Sequence, residues 1–238
     1  PEVMADGDDT ELIKSYNADD RFPFLNKVLG GTYTPGSIVK PFMAYAALAE
    51  HVISPDKTIV SNGYLLLPNP YDPSHPTKFL DWRAQGAMTM RTAIAFSSDV
   101  YFYIIGGGFE DQKGLGITKI KEYMSKFGFG SKTGIILSGE QEGTVPDPQW
   151  KQKVFNDDWR LGDTYHTAIG QFGWLVTPMQ MLRGYAALAN GGKLFVPQIV
   201  KGLVGTSTDL QLDPSDLKIV REGMRMTVNY PGGTARPF

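Results

Sequence analysis

The sequence contains no cysteine, few histidines and almost no net charge. Without cysteine the chain can form no disulfide, cannot use a thiol as nucleophile and can build few of the known structural zinc sites. This composition suits the periplasm or the extracellular space without requiring either. The three histidines, His51, His75 and His166, lack the spacing of metal ligands. A formal net charge of −2 offers no basic surface to a nucleic acid. We therefore predict neither a metal site nor a nucleic-acid partner.

Long apolar runs are also missing. No stretch approaches the roughly 20 residues that a membrane-spanning helix requires. Neither a signal peptide nor an initiating methionine stands at Pro1. We expect the sequence to be either a cytosolic domain or a piece of a longer protein. Its 238 residues, 42% of them hydrophobic, suffice for one large domain or two small ones.

Helix signals outnumber strand signals. Thr177 is followed by Pro178 and Gln180, the pattern of a capping box, and Gly191 marks a helix end. The predicted apolar face of this helix consists of Leu182, Tyr185, Leu188 and Ala189. The sequence thus predicts a mainly helical chain with loops rich in glycine and proline.

Two further patterns concern secondary structure. Asp213-Pro214 begins a second helix, with an apolar stripe that includes Leu217 and Val220. Asn62-Gly63 predicts the turn of a β-hairpin. The stretch 193–200 predicts a strand, and Pro197 favours a sheet edge.

The stretch 35–41, PGSIVKP, places Ser37 three residues before Lys40. On a helix these side chains share one face. Pro35-Gly36 indicates that a helix begins here, with the Ser37 hydroxyl near its unpaired amides and the positive end of its dipole. A serine hydroxyl is a weak nucleophile until a base removes its proton, and a partly buried lysine of lowered pKa can be that base. From the pattern alone, a capping serine beside a surface lysine remains the alternative.

Ser97 and Asp99 lie between two predicted helices, near 89–96 and 100–105. A Ser/Asp helix cap accounts for this pattern. A functional interpretation requires more: Ser97 would lie close to Lys40 and relay a proton, and Asp99 would accept hydrogen bonds from the lysine or from a substrate.

Two other stretches receive structural interpretations. The stretch 162–174, GDTYHTAIGQFGW, is interpreted as a tight loop before the Thr177 helix, with His166 or Gln171 near a substrate as the alternative. Trp82 is interpreted as an aromatic side chain packed into a loop, and Arg83 as a surface residue.

Four ordered segments resemble the transpeptidase domain of class B penicillin-binding proteins, most nearly the elongation-specific penicillin-binding protein 2 group. They read LNKVLGGTYTPGSIVKPF, SSDVYFY, GFGSKTGIILSGE and GDTYHTAIGQFGWLVTPMQM. The resemblance spans the chain from about Pro23 to Phe238. It implies an α+β fold of the β-lactamase/transpeptidase type, with helices around a central antiparallel sheet. Because strand signals are few, we expect mostly the helical part of that fold, with the sheet largely missing.

The resemblance also implies a reaction. Ser37 would attack the carbonyl of a D-Ala-D-Ala stem peptide with Lys40 as general base, and Ser97 would help to pass the proton to the leaving amine. The amine of a second stem peptide would then take the acyl group and form a cross-link. β-Lactams would acylate the same serine. Proton transfer of this kind typically accelerates a reaction about 10²–10⁴-fold.

Asp99 departs from the common family pattern, in which most relatives carry asparagine. The acidic residue resembles the elongation subgroup, and an ionised carboxylate cannot donate a hydrogen bond. The family resemblance implies peptidoglycan stem peptides and β-lactams as ligands, and a polytopic glycan polymerase and other elongation-complex proteins as partners. It implies no metal or organic cofactor. It places the parent protein in the bacterial inner membrane, with the catalytic domain on the periplasmic side.

Lys132-Thr133-Gly134 has the letters of the third family motif, which holds the substrate carboxylate from a strand. It follows Asp99 by only 33 residues, whereas relatives place the motif much later. We therefore interpret Lys132 as a structural loop residue and expect the true motif beyond Phe238. On this interpretation residues 1–238 are a transpeptidase domain incomplete at both ends, without pedestal domain, membrane anchor or Lys-Thr-Gly strand, and weakly active or inactive alone.

Two alternatives remain open from the sequence. A β-lactamase or D,D-carboxypeptidase of the same superfamily would use water as acyl acceptor, and a penicilloyl adduct would then turn over rapidly rather than persist. A non-catalytic scaffold module would keep its cellular role after substitution of Ser37.

Overall fold

The computed structural model describes residue 7, residues 9–69 and residues 72–236, and this part of the chain is helix-rich, as expected. The α-helices are α1 Thr10–Asn17, α2 Lys40–Ala49, α3 Met90–Ala95, α4 Asp99–Gly107, α5 Gly116–Lys126, α6 Pro148–Phe155, α7 Leu161–Ala168, α8 Pro178–Asn190 and α9 Pro214–Asn229. A one-turn 3₁₀ helix, Gly36–Val39, leads directly into α2. The strands are β1 Ile59–Ser61, β2 Tyr64–Leu67, β3 Thr77–Leu80, β4 Gly86–Met88, β5 Lys193–Phe195 and β6 Ser207–Asp209.

Helix α2 forms the centre of the core. Its residues from Lys40 to Leu48 are all buried, because α4, α5 and α9 pack around it. Phe42 contacts the rings of Phe127 and Phe129 edge-on, with 5.0 Å between centroids in each pair. Burying a large apolar side chain completely contributes about 1.5–3 kcal/mol. The core thereby fixes the first turn of α2, and Lys40 with it.

The predicted hairpin about Asn62-Gly63 is wrong. Strand β1 pairs with β4 and β2 pairs with β3, both antiparallel. Strands β1 and β2 therefore follow each other along one side of a long hairpin, and β3 and β4 form its other side. This pairing sets two buried residues, Leu65 and Phe79, directly opposite each other, a stabilising cross-strand pair. Residues 81–85, between β3 and β4, bulge out of the second side of this hairpin, opposite Asn62-Gly63. This bulge, which we call the 81–85 bulge, bears on the site described below.

Helix α8 confirms the predicted cap and end. Thr177 Oγ1 accepts a hydrogen bond from the Gln180 amide (3.1 Å), Gln180 Oε1 accepts one from the Thr177 amide (2.9 Å), and Gly191 adopts φ +96°. The predicted apolar face is partly wrong, because Leu182 is 64% exposed. Gly184 lies on the buried face instead, since the ring of Phe42 approaches so closely that a Cβ there would lie 3.1 Å from it.

Two other predictions are also corrected. The stretch interpreted as a tight loop contains helix α7, whose Tyr165 and Ala168 are buried. The Asp163 carboxylate accepts a hydrogen bond from the Arg160 amide (2.7 Å) at the start of this helix. The predicted strand 193–200 is regular only over β5, which pairs with β6, and ends before Pro197. No helix in the described ranges has the length and apolar character needed to cross a membrane.

Candidate active site

Ser37 lies in the 3₁₀ turn Gly36–Val39 rather than at the start of an α-helix. The backbone is held on both sides of it: the Gly36 amide donates to the Gly170 carbonyl (2.9 Å) and the Tyr185 hydroxyl donates to the Ile38 carbonyl (2.8 Å). The Ser37 side chain is exposed, and its hydroxyl makes no hydrogen bond to any described residue. The hydroxyl is therefore free to react with a ligand.

Lys40 occupies the first residue of α2 and is only 2% exposed. Its Nζ donates to the Ser97 carbonyl (2.8 Å), to Ser97 Oγ (3.1 Å) and to Asp99 Oδ1 (2.6 Å). An ammonium has three hydrogens, and these contacts use all of them. The alternative of a surface lysine beside a capping serine is thus wrong for Lys40.

Burial shifts the pKa values of this ion pair. Burial lowers the pKa of Lys40, although the charges of Asp99 and Asp81 act in the opposite direction. Burial likewise raises the pKa of Asp99, against the effect of the Lys40 charge. Both directions favour the neutral forms of the pair, so Lys40 can release its proton more readily than a lysine in water.

Ser97 lies between α3 and α4 in a left-handed conformation, with φ +53°. A non-glycine residue in this region stores strain that the surrounding structure must offset. The helix cap is neither Ser97 nor Asp99: Ser98 Oγ accepts a hydrogen bond from the Tyr101 amide (3.3 Å), and Asp99 is the first residue of α4. Ser97 and Asp99 are thereby left to hold Lys40.

A cleft of about 250 Å³ brings Ser37, Lys40 and Ser97 together, and Asp99 reaches it through Lys40. Apolar side chains of α3 and α9, Ile94, Met224 and Val228, line the same cleft. A larger cavity of about 610 Å³ lies beside the C-terminal end of α4 and contains none of the four predicted site residues. The chemical groups therefore belong to the smaller cleft.

The family model of the penicillin-binding protein transpeptidase domain matches residues 3–237. The chain belongs to this family. Peptidoglycan D,D-transpeptidase MrdA of Haemophilus influenzae is 34% identical over 247 residues, which cover 98% of this chain and 36% of that protein. MrdA of Escherichia coli K12 is 31% identical over 254 residues, covering 100% of this chain and 38% of that protein. The chain thus spans little more than a third of the length of these relatives.

Solved structures agree with the family assignment. Penicillin-binding protein 2 of Helicobacter pylori superposes with a TM-score of 0.82 at 34% identity, covering 94% of this chain and 41% of that one. Pseudomonas aeruginosa penicillin-binding protein 2, in complex with WCK 5153, gives 0.78 at 32% identity, covering 94% and 51%. These matches confirm the expected fold class and the resemblance to penicillin-binding protein 2.

Lys132-Thr133-Gly134 lies in a loop of this transpeptidase domain, not on a strand. The Lys132 side chain is exposed, whereas Thr133 is buried and donates from its amide to Glu140 Oε1 (2.9 Å). This placement agrees with the interpretation of Lys132 as a structural loop residue.

His166 and Trp82 are placed differently from the sequence interpretation. His166, on α7, packs against the ring of Phe79 with 5.4 Å between centroids, and burial lowers its pKa. Trp82 is 54% exposed rather than packed into a loop, and its indole donates to the Phe96 carbonyl (3.1 Å). Arg83 lies over the Trp82 ring at 4.3 Å.

Asp81 is a site residue that sequence reasoning missed. It is buried at the start of the 81–85 bulge and hydrogen-bonds to Ser98 and to the Asp99 amide. The available signal was a lone carboxylate directly after Phe79-Leu80, the apolar end of strand β3. No group of three or more histidine and acidic side chains suited to a metal ion occurs among the described residues.

Proposed function

We propose that this transpeptidase domain cross-links peptidoglycan stem peptides in cell elongation through an acyl-enzyme on Ser37. One observation carries the proposal: a buried lysine amine, held by Ser97 and Asp99, lines the same cleft as a serine hydroxyl that is free to react. The peptidoglycan D,D-transpeptidase relatives support the choice of substrate.

Acylation begins with attack of Ser37 Oγ on the carbonyl carbon of the D-Ala-D-Ala bond. The hydroxyl proton passes to neutral Lys40, and a tetrahedral oxyanion forms. When the carbon–nitrogen bond breaks, Lys40 returns the proton through Ser97 Oγ to the departing D-alanine amine. The product is an ester on Ser37. The 3.1 Å contact between Lys40 Nζ and Ser97 Oγ supports this route for the proton.

In the second half-reaction an amine of another stem peptide attacks the ester. Its proton passes through the same groups to the Ser37 oxygen as the ester bond breaks, and a new peptide bond remains. Asp99 accepts a hydrogen bond from Lys40 throughout and stabilises the ammonium when the lysine holds the proton. An ionised Asp99 cannot donate a hydrogen bond to substrate.

The relatives also suggest partners. One Helicobacter pylori structure holds penicillin-binding protein 2 together with MreC, at 35% identity and a TM-score of 0.81. Another neighbour, at 29% identity and 0.80, is a peptidoglycan synthase complex that coordinates polymerization and crosslinking. We infer that the protein containing this chain works with a polytopic glycan polymerase and elongation-complex proteins. On this proposal the protein is anchored in the bacterial inner membrane with its catalytic domain on the periplasmic side, and β-lactams acylate it.

The test is covalent labelling of the protein that contains this chain with a fluorescent penicillin, followed by mass spectrometry of its peptides. We expect the label on Ser37 and its loss in Ser37→Ala, whereas Ser131→Ala, at an exposed serine, retains it. Labelling of Ser37→Ala at the wild-type rate would contradict the proposal.

The lifetime of the adduct separates the alternatives. A long-lived adduct agrees with a transpeptidase, and rapid release of hydrolysed penicillin would favour a β-lactamase. If cells carrying Ser37→Ala elongate normally, the scaffold alternative is correct and catalysis is dispensable.

A further inference from the structure

The carboxylate of Asp81 accepts hydrogen bonds from six groups. Its Oδ1 accepts from the amides of Trp82 (2.9 Å) and Asp99 (3.1 Å) and from Gln85 Nε2 (3.3 Å). Its Oδ2 accepts from the hydroxyls of Ser98 (2.7 Å) and Ser61 (2.8 Å) and from the Val100 amide (3.3 Å). A carboxylate so fully satisfied can stay ionised in the interior.

Half of these donors belong to the segment that holds Lys40. Ser98, Asp99 and Val100 form the start of α4, where the first amides have no partner within the helix. A carboxylate beside these amides also matches the positive end of the helix dipole. Asp81 therefore caps α4 from another part of the chain and fixes the segment on which both lysine partners lie.

The 81–85 bulge contacts the other end of the same segment as well. The Trp82 indole (3.1 Å) and Gln85 Nε2 (3.2 Å) both donate to the Phe96 carbonyl, immediately before Ser97. Ser97 is the residue held at φ +53°, so its strained backbone is fixed on both sides. Ser61, the last residue of β1, donates to the Asp81 carboxylate and so orients it.

We propose that Asp81 is a positioning residue that holds the Ser97–Asp99 segment, and through it the Lys40 amine, in place for proton transfer from Ser37. The reaction assigned to these groups rests on the function proposed above. Asp81 does not touch the reacting atoms. It acts through the hydrogen bonds to Ser98, Asp99 and Val100 and through its charge.

The negative charge of Asp81 changes the pKa of Lys40 in a definite direction. Burial by itself would raise the pKa of Asp81, but the hydrogen bonds from Ser98, Asp99, Ser61 and Val100 outweigh it and hold the pKa below its ordinary value. The ionised carboxylate then raises the pKa of Lys40, as Asp99 does. Asp99 itself faces Lys40, Asp81 and His166. Removing the Asp81 charge must therefore lower the pKa of Lys40.

Asp81→Asn and Asp81→Ala separate charge from position. The asparagine oxygen can keep the contacts of Oδ1, and its amide can donate to Ser61 and Ser98, whose hydroxyls also accept. Asp81→Asn thus removes the charge and leaves one amide, that of Val100, without its acceptor, whereas Asp81→Ala removes every contact of the cap. Asp72→Asn is the matched control, because Asp72 also has a lowered pKa and hydrogen bonds to a serine but is exposed in the β2–β3 loop.

The experiment measures penicillin acylation against pH in the protein that contains this chain. For Asp81→Asn we expect the rise of rate with pH to move to lower pH, and for Asp81→Ala a loss of at least about 10-fold at every pH, since misplaced catalytic groups cost this much or more. Ser61→Ala keeps the charge and removes one of the six hydrogen bonds to Asp81, together with the contact from the Gly63 amide, so its pH midpoint stays at the wild-type value. Asp72→Asn matches wild type in both rate and midpoint.

A second readout does not depend on acylation. The Lys40 side-chain resonance in ¹³C-lysine protein, assigned with Lys40→Arg, titrates at lower pH in Asp81→Asn than in wild type. An unchanged Lys40 titration together with an unchanged acylation profile would overturn the role of Asp81. If wild type fails to acylate Ser37, the proposed function fails, and the titration still decides whether Asp81 controls Lys40. Should Asp81→Ala not fold, Asp81→Asn and Ser61→Ala give the decision.

Discussion

Burying the Lys40 ammonium removes its hydration, and this desolvation costs several kcal/mol of free energy even after the protein relaxes. At 2% exposure, this lysine recovers that loss through Asp99 and the two oxygens of Ser97. The arrangement stabilises the fold little for its cost, since well-packed apolar groups often replace such pairs without loss of stability. Under the proposed function, its value lies in an amine whose pKa burial lowers below that of an ordinary lysine.

Substitution of Lys40 by arginine tests that value. Arginine keeps the positive charge beside Asp99 but stays protonated at any pH a protein tolerates, so it cannot serve as base. We expect Lys40→Arg to slow acylation of Ser37 by about 10²-fold or more while circular dichroism shows a folded protein. Lys132→Ala, which truncates the exposed lysine of Lys132-Thr133-Gly134, should leave the acylation rate within about twofold of wild type. Comparable acylation by Lys40→Arg and wild type would remove Lys40 from the mechanism.

The pH dependence of acylation has a predicted sign at the same residue. Only neutral Lys40 accepts a proton, so the rate rises as pH increases through its pKa. Because burial lowers that pKa, the midpoint lies below the 10.5 of an ordinary lysine. Asp99→Asn removes a charge that raises the pKa of Lys40, and we expect the midpoint to move to still lower pH. The measurement is the acylation rate across the pH range of stability, and a midpoint displaced upward contradicts the assignment.

Sequence predicts single elements well where the decisive chemistry is local. Thr177 and Gly191 delimit α8, and Asp213 caps α9, because these residues act on amides and carbonyls within one helical turn. The pairing of β2 with β3 is not predictable in this way. It depends on burying Leu65 opposite Phe79, a partner that the local Asn62-Gly63 signal does not contain.

In helix α8 a polar side chain, Gln180, is buried and an apolar one, Leu182, is exposed, so substitutions at the two positions test the packing. Gln180 is 1% exposed, and its Nε2 donates to the carbonyls of Ser131 and Glu142 at 2.7 Å each, in addition to its capping bond. Gln180→Ala leaves the buried Thr177 amide and two partly buried carbonyls without this partner and should cost about 2–3 kcal/mol of unfolding free energy. Leu182→Ala, two residues on at an exposed position, should cost less than about 0.5 kcal/mol. Urea denaturation of both variants measures the difference, and a larger loss in Leu182→Ala contradicts the described packing.

Across the whole molecule, the site combines segments far apart in sequence. Ser37 and Lys40 share one short motif, and Ser97 and Asp99 share another, so pattern and family resemblance together were enough to propose all four. Asp81, Gly170 and Tyr185 were not proposed, because each acts through a contact that forms only after folding. The two short motifs contain the proposed reacting groups, whereas the residues that position these groups are brought to them only by the tertiary fold.

Gly170 provides a whole-molecule prediction with a close control. Both Gly170 (φ +78°) and Gly139 (φ +82°) have left-handed backbones, so alanine at either position costs about 1–2 kcal/mol of conformational strain. A Cβ at Gly170 would also lie 2.1 Å from the Gly36 carbonyl oxygen, whereas one at Gly139 meets no atom within 4 Å. Gly170→Ala must therefore displace the turn that carries Ser37.

We expect both variants to lose similar stability from backbone strain, with a further loss in Gly170→Ala. Acylation distinguishes them more sharply, because a displacement of about 1 Å in a reacting group can cost about 10²-fold in rate. Gly170→Ala should be slower than wild type by at least about 10-fold, and Gly139→Ala should react at the wild-type rate. Thermal melting and penicillin labelling of the same samples give both quantities. Equal labelling of the two variants would mean that the α7–α8 connection does not position the nucleophile, and that α2 and the Tyr185 hydroxyl suffice to hold the turn Gly36–Val39.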